Sequence, residues 1–226
     1  MTHAKRIAVG VLVAGALSGA GSAAASAALP EFVPGGAVPF TSTLGASTFE
    51  TSKTKVVVSC TNGTNEGQIT GPNSVVVTIK LKGCHEGEVP CNSPNGVAGE
   101  IQYVRLTGTL GYIKKATPQK PVPEVGLDVS APAGALLTSF SCGAALSVNV
   151  RGSIIGRITP VNKNVLPPKG HFVVKWAQIK GHEKVTHFEG GPLDFPEASV
   201  NGGPIEAAGL TATDTLAFAA PEEIKA

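Results

Sequence analysis

The chain has 226 residues, of which 42% are hydrophobic and only 15% charged, with a formal net charge of +2. That apolar share excludes wholesale disorder. A balance of 18 basic against 16 acidic residues offers no field of one sign to collect nucleic-acid phosphates or anionic lipid.

The first thirty residues predict an exported protein. Lys5 and Arg6 precede an apolar run from Ile7 to Leu17, and Ala25-Ser26-Ala27 has the A-x-A form that a signal peptidase accepts. Residues 1–27 are therefore expected to be a signal peptide for the general export route, and residues 28–226 a single β-sandwich-like domain. The apolar run falls well short of the ~20 residues a spanning helix needs, so no stable membrane insertion is expected. Losing Lys5 and Arg6 with the leader leaves 16 residues of each sign, and nucleic acid is not an expected partner. No cysteine stands near the cleavage region for a lipid anchor, and "APEEIKA" at the C-terminus carries neither an apolar tail nor a sorting sequence.

From residue 28 onward the period is two. Residues 28–36 read as a loose lead-in. In "VVVTIKLK", Val75, Val77, Ile79 and Leu81 share one side, with Thr78, Lys80 and Lys82 on the other. "EVGLDVS" places Val125, Leu127 and Val129 together, and "LSVNVRG" does the same with Leu146, Val148 and Val150. Alternation of this kind marks antiparallel strands with one dry face. Turn formers punctuate them at Asn62-Gly63, Gly71-Pro72-Asn73, Asn95-Gly96, Pro118 to Pro123, Pro167-Pro168, Gly190-Gly191-Pro192 and Asn201-Gly202-Gly203-Pro204. Their spacing predicts about ten to twelve strands. The fold class is all-β: an antiparallel β-sandwich, favoured over a closed antiparallel barrel because the strands look short and unequal.

Four cysteines in an exported chain predict two disulfides, with three possible connectivities. The polar loop "CHEGEVPC" favours Cys84–Cys91, leaving Cys60–Cys142 to close a loop of about 80 residues and restrict the unfolded chain by roughly 4 kcal/mol. The alternative is Cys60–Cys84 with Cys91–Cys142. A zinc site is disfavoured because the spacings contain no C-x2-C.

The densest cluster of chemistry-bearing residues is "GHEKVTHFEGG", Gly181 to Gly191. A zincin helix needs H-E-x-x-H, whereas His182 and His187 stand five apart among glycines and strand formers. On a strand these two histidines face opposite ways. His187 and Glu189 would share a face about 7 Å apart, and His85 or His171 could complete a metal site. The solvated strand face is the preferred reading. His85, Glu86 and Glu88 in "CHEGEVPC" offer a rigid polar loop for a cation or a partner, though a stapled surface hairpin explains them equally.

"SFSCG", Ser139 to Gly143, lacks the first glycine and the strand–turn–helix context of a nucleophile elbow and reads as strand. Asp128, Asp194 and Asp214 sit in no recognisable triad motif, and no catalytic or cofactor-binding set emerges. Trp176 falls on one face with Phe172 and Val174 and is expected inside, while Tyr103 and Tyr112 could be surface contacts for a sugar. Asn62-Gly63-Thr64 fits the N-glycosylation pattern but reads as a turn.

The ordered blocks "SCTNGTNEGQITGPNSVVVTIKLKGC", "CNSPNGVAGEIQYVRLTGTLGYI", "SFSCGAALSVNVRGSIIGRITPVNK", "FEGGP" and "SVNGGPIEAAGLTATDTLAF" resemble a multi-paralogue family of exported actinobacterial β-proteins with no assigned activity. The resemblance runs from about Thr51 to Ala226 and implies a shared exported β-fold without functional residues to carry over. The expected function is that of a secreted, non-catalytic β-domain with a structural or interaction role at or near the cell surface. Its partner would be a protein or a surface glycan, met by polar faces and free sheet edges. The alternatives are a carbohydrate-binding module and a metal-dependent hydrolase built around His187 and Glu189.

Overall fold

The structure is a computed structural model describing residues 28–226. The expected signal peptide, residues 1–27, lies outside the described residues.

Among the described residues, twenty strands follow in chain order. The first ten are β1 (Glu31–Val33), β2 (Pro39–Leu44), β3 (Ser47–Thr51), β4 (Val57–Cys60), β5 (Asn62–Gly71), β6 (Ser74–Lys82), β7 (His85–Glu86), β8 (Val89–Asn92), β9 (Glu100–Gln102) and β10 (Leu106–Lys114). The remainder are β11 (Glu124–Ser130), β12 (Thr138–Cys142), β13 (Leu146–Arg151), β14 (Ser153–Thr159), β15 (Phe172–Trp176), β16 (Gln178–Ile179), β17 (His182–Glu183), β18 (Glu197–Val200), β19 (Ile205–Phe218) and β20 (Glu223–Lys225). Among the described residues no helix is long and apolar enough to cross a membrane.

Eight strands close into an antiparallel barrel rather than a sandwich. The order is β15-β14-β11-β10-β6-β5-β2-β19, and β19 returns to β15 through Phe172↔Leu216 to Trp176↔Ala212. The sandwich expectation fails because the strands are not uniformly short: β5, β6, β10 and β19 have 10, 9, 9 and 14 residues. Strands this long can tilt and stagger enough to close a ring. A second circuit, β19-β18-β13-β12-β8-β7-β4-β3, also closes on β19. The N-terminal half of β19 serves this second ring and its C-terminal half the barrel. Strand edges for pairing with another chain are thereby largely consumed.

The strand count exceeds the ten to twelve expected. Pairs of residues such as those of β7, β16 and β17 bridge neighbours without leaving a periodic signal. Residues 28–36 are not loose, for β1 pairs with β20 and carries the buried Phe32. Asn62-Gly63 opens β5 rather than forming a turn. A Cβ on Gly63 would stand 2.8 Å from the Lys80 carbonyl oxygen, so this glycine permits close strand approach.

The alternation itself is observed. Val75, Val77, Ile79, Leu81, Val125, Leu127 and Val129 are all buried, whereas Leu146 is half-buried beside buried Val148 and Val150. Phe218 packs on Phe32, Phe40 and Phe172 with ring centroids 6.0, 5.0 and 5.4 Å away, filling one end of the barrel. Such aromatic pairs add about 0.5–1.5 kcal/mol each beyond the area they bury.

The disulfides are Cys60–Cys84 and Cys91–Cys142, the connectivity that was not favoured. The β7–β8 hairpin sets Cys84 opposite Cys91, with the Cys91 N–H donating to the Cys84 carbonyl at 2.9 Å. That hairpin lies between β4 and β12, and each cysteine bonds outward to the strand on its own side. Here the second ring is thin: β4 and β7 share one residue pair, Ser59↔His85, and β8 and β12 share two. The bridges close spans of 24 and 51 residues and restrict the unfolded chain by about 3 and about 4 kcal/mol. Two disulfides fit an oxidising, extracellular environment.

Candidate functional site

In "GHEKVTHFEGG" only His182 and Glu183 lie on a strand, β17, and the rest is turn and loop. Gly181 takes φ +78° at the tip of the β16–β17 hairpin, where a Cβ would meet Ser52 N and Thr51 C at 2.5 Å. Only glycine allows so tight an approach at that φ. The hairpin covers Gly209 of β19, where any Cβ would meet Gln178 Cβ at 2.5 Å.

Glu183 turns inward from this hairpin. Along one side of β19, pairing with β18 ends at Ala207 and pairing with β15 begins at Ala212. In the gap between them the Leu210 N–H donates to Glu183 Oε1 at 2.6 Å. Glu183 is buried and its Oε2 has no protein partner. Burial pushes its carboxyl up to about 8, against the Leu210 N–H, which lowers it. The Tyr103 hydroxyl is raised in turn, first by its own burial and then by the Glu183 charge.

The other members of the segment do not converge. His187 is exposed, with Nδ1 3.2 Å from the Thr186 hydroxyl. Glu189 Oε2 accepts from the Lys115 N–H at 2.6 Å, and its own N–H donates to the Tyr112 carbonyl. His85 lies on β7 with Nδ1 2.8 Å from the Gly87 carbonyl oxygen, and His171 is exposed just before β15. Among the described residues no three His, Cys, Asp or Glu gather as a metal-ligand set. Phe188, between His187 and Glu189, packs on the barrel wall instead. A Cβ at Gly111 or Gly126 would come within 2.4 or 2.9 Å of its ring, so these two glycines form its seat.

The aromatic ledge expected of a sugar platform does not form. Tyr103 is buried at 8% exposure, and Tyr112 is half-buried against the core. Trp176 is inside the barrel at 5%. "SFSCG" is mostly β12, as a strand reading requires.

Three further buried carboxylates, Asp214, Glu206 and Glu222, were not singled out by motif; Glu222 Oε2 accepts from the Gly35 N–H at 3.4 Å, and Asp128 is half-buried. Asp214 faces the barrel interior and accepts from Ser42 Oγ at 2.9 Å and Asn65 Nδ2 at 2.6 Å. Its periodicity is visible afterwards: Ala212, Asp214, Leu216 and Phe218 fall on one face of β19, a charge in a hydrophobic register. Glu206 holds the 52–54 turn, accepting from the Thr54 hydroxyl at 2.6 Å, the Thr54 N–H at 3.0 Å and the Lys53 N–H. Burial would raise Glu206, but these bonds outweigh it and hold its carboxyl below the ordinary value. Asp128 is pushed up to about 6 by burial and by the neighbouring Asp194 carboxylate, against the Ser153 hydroxyl, which lowers it.

An open groove lies elsewhere. Strand β1 and the Pro34–Ala37 turn face the β5–β6 hairpin across a groove of about 630 Å³. Its walls are rich in backbone, with Gly35, Gly36 and Gly71 baring the main chain and Glu31 the one charged lining residue. A neighbouring groove of about 400 Å³ runs between Pro39–Thr41, Pro167-Pro168 and Ala217–Ala219. Both fall in the size range of ligand sites. Compared with family models, curated proteins and solved structures, the chain matches none.

Proposed function

We propose that the protein is a secreted, non-catalytic β-domain with a structural or interaction role at or near the cell surface, making contact through the β1 groove. The carrying observation is the employment of its buried acids. Glu183 serves the Leu210 N–H, Glu206 the 52–54 turn, Asp214 the Ser42 and Asn65 side chains, and Glu222 the Gly35 N–H. These carboxylates hold strands and turns in place, the work of a scaffold rather than of acid–base chemistry. The nearly uncharged, backbone-lined groove suits a neutral extended chain, either a protein segment or a surface glycan. With strand edges consumed by ring closure, groove contact replaces edge pairing as the mechanism. The resemblance to exported actinobacterial β-proteins accords with export and with the two disulfides.

The test is binding of the fluorescently labelled, oxidised protein to intact bacterial surfaces and to purified wall polysaccharide. Thr70→Trp and Ala37→Trp, which fill the groove from exposed positions, should lower binding at least tenfold with the melting temperature unchanged. Unaltered binding by both variants removes the groove from the proposal. Turnover of an ester, peptide or glycoside panel above a heat-denatured control removes the non-catalytic reading.

A further inference from the structure

Three polar atoms inside the barrel lack protein partners: Asp214 Oδ1, Asn65 Oδ1 and Trp176 Nε1. Their residues are 3%, 2% and 5% exposed, so bulk solvent does not serve them. Leaving such groups unpaired costs about 1–3 kcal/mol each. All three residues line one internal cavity, otherwise walled by apolar side chains that include Phe40, Val77 and Leu216. The cavity leaves about 10 Å³ for the centre of a water molecule.

We propose that this cavity is a binding site for one ordered water, which accepts from Trp176 Nε1–H and donates to Asp214 Oδ1 and Asn65 Oδ1. The complement is complete. Two unpartnered acceptors and one unpartnered donor belong to residues lining the same cavity, and water brings two donors and a free lone pair. The space holds about one water, and the three partners match the usual number for a buried one. A cation in the same place would face the indole N–H, which repels it. The existing bonds occupy the other polar atoms: Asn65 Nδ2 and Ser42 Oγ both donate to Asp214 Oδ2, which leaves both Oδ1 atoms buried without a protein partner. Burial pushes the Asp214 carboxyl up to about 6, against the bonds from Ser42 and Asn65. At pH 7.5 it is therefore ionised, and Oδ1 has no proton of its own to give Asn65.

Trp176 is the chain's one tryptophan, so its indole N–H gives a single, unambiguous nuclear magnetic resonance signal. In the oxidised protein at pH 7.5, paired NOESY and ROESY spectra should show a direct cross-peak from that proton to water, with the sign of a long-lived bound molecule. Ser42→Ala removes the hydroxyl bonded to Asp214 Oδ2, through which exchange could relay the signal, and the cross-peak should persist because Asn65 Nδ2 still holds Oδ2. A resolved indole signal without a water cross-peak, or one lost in Ser42→Ala, overturns the proposal. A crystal structure at atomic resolution supplies the second readout. One solvent oxygen within hydrogen-bond distance of all three atoms supports the site; a metal at that position, or direct Asp214–Asn65 contact through both Oδ1 atoms, refutes it.

Discussion

Replacing Glu183 by glutamine isolates a titration that the fold has built into its seam. In the folded state the carboxyl ionises near 8 rather than 4.5, the principal cause being its burial. A raised acid pKa means that the folded protein binds the proton more tightly than the unfolded chain. The associated stability is complete below about 4.5, declines as pH rises, and is lost once pH passes the folded value. Between pH 8 and 6.5 this one group should return roughly 1–2 kcal/mol on acidification, allowing for partial protonation at pH 8. Asp128 and Asp214, displaced to about 6, contribute little in that window. For a domain of this size the shift corresponds to a melting temperature roughly 3–6 °C higher at pH 6.5 than at pH 8. Glu183→Gln keeps an oxygen for the Leu210 N–H but cannot ionise, so its melting temperature should be nearly flat over the same interval. Differential scanning calorimetry in buffers of matched ionic strength measures both slopes. Equal slopes in the two proteins would refute the assignment of a buried, proton-binding Glu183.

Glu206→Gln should destabilise by about 2–3 kcal/mol at pH 7, because charge-assisted bonds to the 52–54 turn are lost. Its depressed folded pKa contributes stability above the unfolded value that vanishes as pH falls through the folded one. Acid titration of wild type against variant should therefore converge only once pH has fallen below the depressed folded value. Peptide mapping of the non-reduced protein should recover Cys60 linked to Cys84 and Cys91 linked to Cys142; a Cys84–Cys91 peptide would contradict the fold. Phe218→Ala should cost about 3–5 kcal/mol in urea unfolding, since three aromatic rings lose their common partner. Gly126→Val should evict Phe188 and expose residues 184–196 to limited proteolysis, with digestion no faster than wild type as the refuting result.

What could be read from the residues was the period, not the closure. Val75 to Leu81 and Val125 to Val129 carry their dry faces openly, because a half-buried strand writes its environment at every second position. Ring closure is invisible in that record. It depends on β19 having β2 and β15 on its two sides, a long-range register that no local pattern encodes. The cysteine pairing went astray for a related reason. Proximity along "CHEGEVPC" favoured Cys84–Cys91, whereas a sheet presents each cysteine with a lateral neighbour that sequence distance conceals. Glu183 went unnamed inside a segment weighed for metal chemistry at His187 and Glu189. Its glycine-rich surroundings were the signal, since Gly181 and Gly209 let the hairpin descend far enough for the carboxyl to reach β19. Asp214 and Asn65 could have been suspected from polar residues occupying inward positions of otherwise alternating strands.

The double membership of β19 has a kinetic corollary. Neither ring has a full set of staves until residues 205–218 have left the ribosome, so the greater part of the chain is synthesised before any closed barrel is possible. Pairings between distant segments form slowly, since loop entropy is lost before contacts repay it. A polypeptide with this delay built into its topology keeps both rings open until its last long strand has been made.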